Sequence, residues 1–162
     1  MVGRQVKVVV FVAVVLLCFG CDRATKIVAQ DALQDRPPQP AFGSTVVFEY
    51  EENTGAMLSI GAQLSPTVRF WLFTVGISVM LMVLGLFIFV RSRSAGEIAA
   101  GALAVGGGLG NLFDRLTCNG AVIDFVSVGL GPLRTAIFNL ADVAILAGVV
   151  LYLAALLRRS AS

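Results

Sequence analysis

Residues 67–90 read TVRFWLFTVGISVMLMVLGLFIFV, and apart from Arg69 they carry no charge. A helix needs roughly 20 mostly apolar residues to cross about 30 Å of hydrocarbon, so this stretch predicts a membrane span. Its Met and Phe residues then face lipid or pack against neighbours. Working outward, residues 98–116 form a second run, mainly Ala, Gly and Leu, with Asn111, Asp114 and Arg115 at one end. A third, 138–157, begins with Asn139 and Asp142 and runs into Arg158 and Arg159. The first apolar run, 8–21, is short alone but becomes long enough if its helix continues through Asp22 to Ala29. The expected fold is an α-helical integral membrane protein, one membrane domain over 1–162. Its four transmembrane helices fall at about 7–29, 67–90, 98–116 and 138–157. Composition agrees: of 162 residues, 57% are hydrophobic and 14% charged, against about 45–50% and about 25% in soluble domains. A disordered chain, a nucleic-acid-binding arm and a disulfide-stapled secreted domain are excluded.

Lysine and arginine placement orients the helices. Arg4, Lys7, Arg91, Arg93, Arg158 and Arg159 fall on one side of the four runs with a single acid, Glu97, and the other nine of the 10 acids fall opposite. Both termini are expected in the cytoplasm. Segments 30–66 and 117–137 are expected outside. In the first, the breaker cluster Pro37-Pro38-Gln39-Pro40 precedes residues 44–51, where Val46, Phe48 and Tyr50 alternate with their neighbours as in a strand. In the second, Asn119-Gly120 marks a turn, and 121–128 reads as another strand ended by Gly129, Gly131 and Pro132. A small sheet on the outer surface is expected. Gly20-Cys21 after an apolar run also looks like a lipoprotein signal-peptide site, but Cys18 stands where such sites usually have Leu. An uncleaved first helix is the better reading. Cys18, Cys21 and Cys118 show no metal-binding spacing.

The chain has no histidine, which removes Ser-His and Cys-His catalysis, His-ligated zinc and imidazole relays. Charges near hydrocarbon cost several kcal/mol and mark pairing or function. Asp22, Thr25 and Lys26 lie on one helix face, where an interfacial Asp22–Lys26 ion pair is the structural explanation. Glu52-Asn53-Thr54-Gly55-Ala56 reads as a turn. Gly106 and Gly110 let another helix approach closely, and Asn111 shares a face with Asp114. Arg115 either pairs with a carboxylate or holds an external strand. Asp142 begins the last helix, with Asn139 three residues earlier on its face, and Asp124 lies between Ile123 and Phe125. Two unpaired acids at one membrane depth must share a proton or line a wet cavity. An aspartic-protease dyad and a set of ion-binding carboxylates both fit that description.

Taken together, these clusters resemble the lipoprotein signal peptidase family, bacterial signal peptidase II. The motifs run in family order: D-x-x-T-K from Asp22 to Lys26, E-N-x-G-A from Glu52 to Ala56, and G-N-x-x-D-R from Gly110 to Arg115. V-x-D-F from Val122 to Phe125 and F-N-x-A-D from Phe138 to Asp142 complete the series. The resemblance implies an intramembrane aspartyl endopeptidase of the bacterial cytoplasmic (inner) membrane, with its site on the external, periplasmic face. It would cut a prolipoprotein just before a diacylglyceryl-modified cysteine. By motif position the catalytic pair falls on Asp124 and Asp142. Asn53, Gly55, Asn111, Asp114, Arg115 and Asn139 become substrate-positioning or supporting groups, and Asp22 and Lys26 match the helix-one block. Residues near 44–60 become a small β-cradle over the substrate. No metal or cofactor is implied. The implied partners are diacylglyceryl-modified prolipoproteins and membrane lipid, with no nucleic acid and a monomeric chain. Two departures, Met57-Leu58 where the family often has Ala-Phe and the stretch 131–137, bear on substrate preference.

In the implied mechanism a water between Asp124 and Asp142 attacks the peptide carbonyl while the neutral carboxyl gives its proton. Asn111 and Asn139 would fix the carboxylate rotamers, and Arg115 with Asp114 would hold the strand that carries Asp124. The rival reading is a small ion- or proton-coupled transporter using the same carboxylates. It predicts repeat symmetry and a broken helix, and the sequence shows neither. A packing scaffold leaves Asp124 and Asp142 unexplained.

Overall fold

The computed structural model describes residues 3–56 and 59–160. Helix α1 (Arg4–Leu33) does continue through Asp22, four residues beyond the expected end. It stops where Asp35 turns to positive φ ahead of Pro37. Only Asp22, Lys26 and Ala29 of its side chains are buried, so most of its surface is left to face lipid. Helix α2 (Pro66–Arg91) opens with Ser65 as its cap, the hydroxyl accepting from the Val68 N–H at 3.4 Å, and with Pro66 in the first turn. Its second segment, Phe70–Gly76, widens into a π-helix.

Helix α3 (Ala95–Thr117) begins with a capping box: Ser94 Oγ accepts from Glu97 N–H at 3.1 Å, and Glu97 Oε2 accepts from Arg93 N–H at 2.7 Å. Most of its residues are buried, because the other helices surround it. Gly106 lies against Cys18 of α1, Gly108 against Leu81 of α2, and Gly107 against the Ala141 carbonyl of the last helix, α4 (Leu140–Ser160). At each, an added Cβ would fall within 3 Å of a neighbour. Among the described residues, three helices are long and apolar enough to cross a membrane: Arg4–Leu33, Pro66–Arg91 and Leu140–Arg159. Expected as a fourth span, α3 is long enough but less apolar. Its glycines and polar end suit a helix shielded from lipid by protein. At the end of the bundle opposite the sheet, the Lys7 ammonium donates to the Ser92 carbonyl at 2.6 Å and closes the end of α2.

The sheet is antiparallel in chain order, β1 (Gln39–Ala41), β2 (Val46–Asn53), β3 (Val122–Leu130) and β4 (Leu133–Arg134). Both expected strands form, shifted one or two residues onward. The proline cluster is more than a breaker, since Pro40 pairs with Val47 in β1. An edge strand tolerates proline because its outer side needs no N–H. A bulge between Phe48 and Glu51 resets the register so that Glu51 faces Asp124. Phe138, expected to open the last helix, instead bridges β3. Its N–H donates to the Val126 carbonyl at 2.8 Å, and α4 starts two residues later.

Candidate active site

The two candidate aspartates arrive on different elements. Asp124 sits three residues into β3 and is 3% exposed. Asp142 lies in the first turn of α4. That turn is fixed by a reciprocal cap: Asn139 Oδ1 accepts from Asp142 N–H at 2.9 Å, and Asp142 Oδ2 accepts from Asn139 N–H at 3.2 Å. The arrangement is the N-terminal capping box built from Asn and Asp. The same Asn139, fully buried, donates through Nδ2 to Asp124 Oδ1 at 2.7 Å. One side chain therefore touches both aspartates.

Two further amides complete the ring. Asn53, at the end of β2, donates to Asp124 Oδ2 at 3.1 Å, while its Oδ1 accepts from Gly55 N–H at 2.9 Å. Asn111 donates to Asp142 Oδ1 at 2.8 Å. Burial, and next the charge of Asp142, push the Asp124 carboxyl up to about 7, against the opposing hydrogen bonds from Asn53 and Asn139 and the charge of Lys26. A carboxyl in that range exchanges a proton near neutral pH.

Behind the ring lies a buried ionic layer. The expected Asp22–Lys26 ion pair forms, with Nζ 2.9 Å from Asp22 Oδ2, and both side chains are fully buried within the protein. Lys26 Nζ is also 2.6 Å from Asp114 Oδ2. Asp22 Oδ1 accepts from Ala141 N–H at 3.0 Å, tying α1 to the start of α4. Asp114 does hold the strand that carries Asp124, accepting from Ile123 N–H at 3.2 Å. Arg115 does not. It donates to the Gly55 carbonyl at 2.9 Å and packs over Phe73 of the π-helical segment, so it anchors the loop after β2 instead. Gly55 is needed there because a Cβ would lie 2.7 Å from the Ile60 carbonyl oxygen.

Sequence reasoning missed Arg23, which pairs with Asp114 and lies over the Phe113 ring at 4.8 Å. Its only sequence signal is a cation in the same helix block as Asp22 and Lys26. Glu51, the cross-strand neighbour of Asp124, was also missed. A cleft of about 270 Å³ is lined by Glu51 and Asn53, the two neighbours of Asp124 on β2, and by Ser59, Thr135, Ala136 and Ile137. The departing stretch 131–137 therefore supplies one wall of the cleft, whereas Met57-Leu58 lies outside the described residues. A larger apolar crevice of about 430 Å³ between α1, α2 and α3 carries no titratable side chain. Among the described residues, no group of three His, Cys, Asp or Glu side chains converges as metal ligands.

The family model for signal peptidase (SPase) II matches residues 14–158. A lipoprotein signal peptidase of Leifsonia xyli subsp. xyli (strain CTCB07) is 38% identical over 161 residues, covering 95% of this chain and 70% of that protein. The lipoprotein signal peptidase of Yersinia pseudotuberculosis serotype O:1b (strain IP 31758) is 39% identical over 147 residues, covering 87% and 81%. Among solved structures, a bacterial membrane enzyme superimposes with TM-score 0.77 at 25% identity, covering 93% of this chain and 88% of that one. The transporter reading finds no support in these relatives.

Proposed function

The chain belongs to the signal peptidase II family, and from that premise we propose how its residues hydrolyse a peptide bond. Its activity is that of a membrane-embedded lipoprotein signal peptidase. Asp124 and Asp142 are the catalytic pair, and they remove the signal peptide just before the diacylglyceryl-modified cysteine. The reading is carried by Asn139, whose side chain joins Asp124 to the first turn of α4. In the resting site the shared proton sits on Asp124, the buried carboxyl pushed up to about 7. Asp142 takes the proton of the attacking water while Asp124 gives its own to the carbonyl oxygen, which yields a gem-diol. Asp142 then passes its proton to the leaving nitrogen as the C–N bond breaks, Asp124 takes one back from a gem-diol hydroxyl, and the pair is regenerated. The proton belongs to the pair as a coupled unit.

Asn53, Asn111 and Asn139 hold the carboxylates in place, and Asp114 fixes the β3 backbone beside Asp124. Arg115 fixes the Gly55 loop over the cleft. Prolipoprotein enters between that loop and the 135–137 wall, where Thr135, Ala136 and Ile137 influence which residues are accepted. All four long helices span the membrane, both termini lie in the cytoplasm, and the sheet and dyad face outward, as the lysine and arginine bias supports. The modified cysteine then keeps its acyl chains in the leaflet while its peptide bond meets water, and one chain suffices.

The test uses purified protein and a diacylglyceryl-modified prolipoprotein. Asp124→Asn and Asp142→Asn are each expected to abolish cleavage while the protein still inserts and keeps its melting temperature. Near-normal cleavage by either variant would overturn the assignment of the pair.

A further inference from the structure

Each of the three asparagines around the dyad presents its NH2 group to a carboxylate, and an amide can point either way round. Something must choose. For Asn53 the Gly55 N–H faces Oδ1, and for Asn139 the Asp142 N–H does the same. A backbone N–H can only donate, so the oxygen must face it. For Asn111 the obligate donor is a side chain: the Lys26 ammonium donates to Asn111 Oδ1 at 2.9 Å. An ammonium has three hydrogens and no acceptor. Of the three close contacts of Lys26 Nζ, the one to Asn111 Oδ1 is the hydrogen bond, while Asp22 Oδ2 at 2.9 Å and Asp114 Oδ2 at 2.6 Å are held as ion pairs. Asn139 Nδ2 also reaches Asn111 Oδ1 at 3.0 Å, but its two hydrogens are divided among that atom, the Ile123 carbonyl and Asp124 Oδ1.

We propose that Lys26 is a positioning residue for the hydrolysis, acting through Asn111: it fixes the Asn111 amide so that Nδ2 faces Asp142. The proposal rests on the reading of Asp142 as a catalytic carboxylate. Asp22 on α1 and Asp114 on α3 pair with Lys26, Arg23 on α1 pairs with the same Asp114, and Asp124 on β3 feels the charge of Lys26. Asp22, Lys26, Asp114 and Arg23 form a balanced set of two acids and two cations, so that layer leaves no surplus charge behind the dyad. Deleting the ammonium alone would unbalance it, and a structural collapse would follow for reasons unrelated to Asn111.

A double-mutant cycle separates the two effects. Asp22→Asn and Lys26→Met made together remove one acid with one cation, and this paired exchange is expected to lower kcat at least about tenfold with KM within about twofold. In an Asn111→Ala background the same paired exchange is expected to cost less than about threefold, because the group that Lys26 positions is gone. Equal losses in the two backgrounds, or an unchanged kcat in the first, would overturn the proposal. Should Lys26→Met fail to fold, Lys26→Gln keeps a donor in a similar volume without charge. A folded Gln variant that regains most of the parent kcat supports orientation by a donor, whereas one as slow as Asn111→Ala overturns it. Asp142→Asn, assayed alongside, keeps the two readings distinct. If that variant still cleaves, the dyad assignment has failed. If it is dead while Lys26 and Asn111 act independently, only the role given to Lys26 has failed.

Discussion

Gly107→Ala tests whether the dyad depends on how closely α3 and α4 pack. A Cβ at Gly107 would lie 2.4 Å from the Ala141 carbonyl oxygen, 3.0 Å from Ile145 Cγ1 and 3.2 Å from the Ile145 nitrogen. Two of these atoms are helix backbone, which cannot rotate away. Restoring an ordinary contact to the carbonyl requires the helices to part by roughly 1 Å. Asn111 is one turn further along α3, and Asp142 directly follows Ala141. Their 2.8 Å hydrogen bond would then lie beyond the range in which such a bond persists.

Two magnitudes follow. Overpacking of this kind costs about 1–3 kcal/mol of stability, which a bundle with this much buried helix contact survives. Misplacing a catalytic group by about 1 Å can cost about 100-fold in rate. Gly107→Ala is therefore expected to fold with a lowered melting temperature and to lose about 100-fold in kcat. The assay follows conversion of diacylglyceryl-modified prolipoprotein by gel mobility, with thermal unfolding in the same detergent. Gly20→Ala, where an added Cβ meets nothing within 4 Å, is the control and is expected to match the parent. Cleavage by Gly107→Ala within about threefold of the parent, under about 1 kcal/mol of barrier, would refute the reasoning. Failure to fold would refute it too, because the contact would then be unable to yield by so small a distance.

Three other outcomes are expected. Because Asp124 is pushed up to about 7, it holds its proton below that pH and loses it above, so kcat/KM should fall on the alkaline side near neutrality. The Asn53 hydrogen bond lowers that value, so Asn53→Ala should move the alkaline limb to higher pH, and a limb that stays put or moves down would contradict the assignment. Arg115→Lys keeps the charge but loses the guanidinium fork on the Gly55 and Asn111 carbonyls, and cleavage should fall roughly tenfold. Ser94→Ala removes the α3 cap far from the dyad and should lower stability by about 1 kcal/mol, read by thermal unfolding, with kcat unchanged.

Much of the fold was legible because its signals are local. An uncharged run announces a span, alternation over 46–50 announces a strand, and Asn139 with Asp142 announces a helix start. Hydropathy says less about α3, whose neighbours replace lipid, so its helix shows in length and small residues rather than in apolar content. The site was legible as a set of residues but less so as a set of contacts. Spacing places Asp22 and Lys26 on one face of α1, yet cannot say that Asp22 accepts from Ala141, 119 residues away. It also cannot show that Lys26 is shared with Asp114, or that Arg115 reaches the loop after β2 in preference to β3. Phe138 went to the helix because it is apolar and adjoins one. In the fold its N–H is needed by Val126, and the chain turns helical only after Asn139 has capped the first turn.

The absence of histidine takes on a sharper meaning beside the three asparagines. Each aspartate receives two of its hydrogen bonds from groups that do not titrate: Asn53 and Asn139 for Asp124, Asn111 and the Asn139 backbone for Asp142. An imidazole in any of those places would carry a proton of its own near neutral pH and compete for the one that Asp124 and Asp142 share in the proposed mechanism. Amides hold the carboxylates without adding a site to the titration. Their weakness is that they can flip, and a flipped amide would turn a carbonyl oxygen toward a carboxylate. Two of the three are secured by backbone N–H groups that no substitution of a side chain removes. The third depends on a lysine whose burial is tolerable only because Asp22 and Asp114 flank it. The ionic layer and the amide ring are thus one construction: the acids make a buried ammonium possible, and the ammonium orients the amide that faces Asp142.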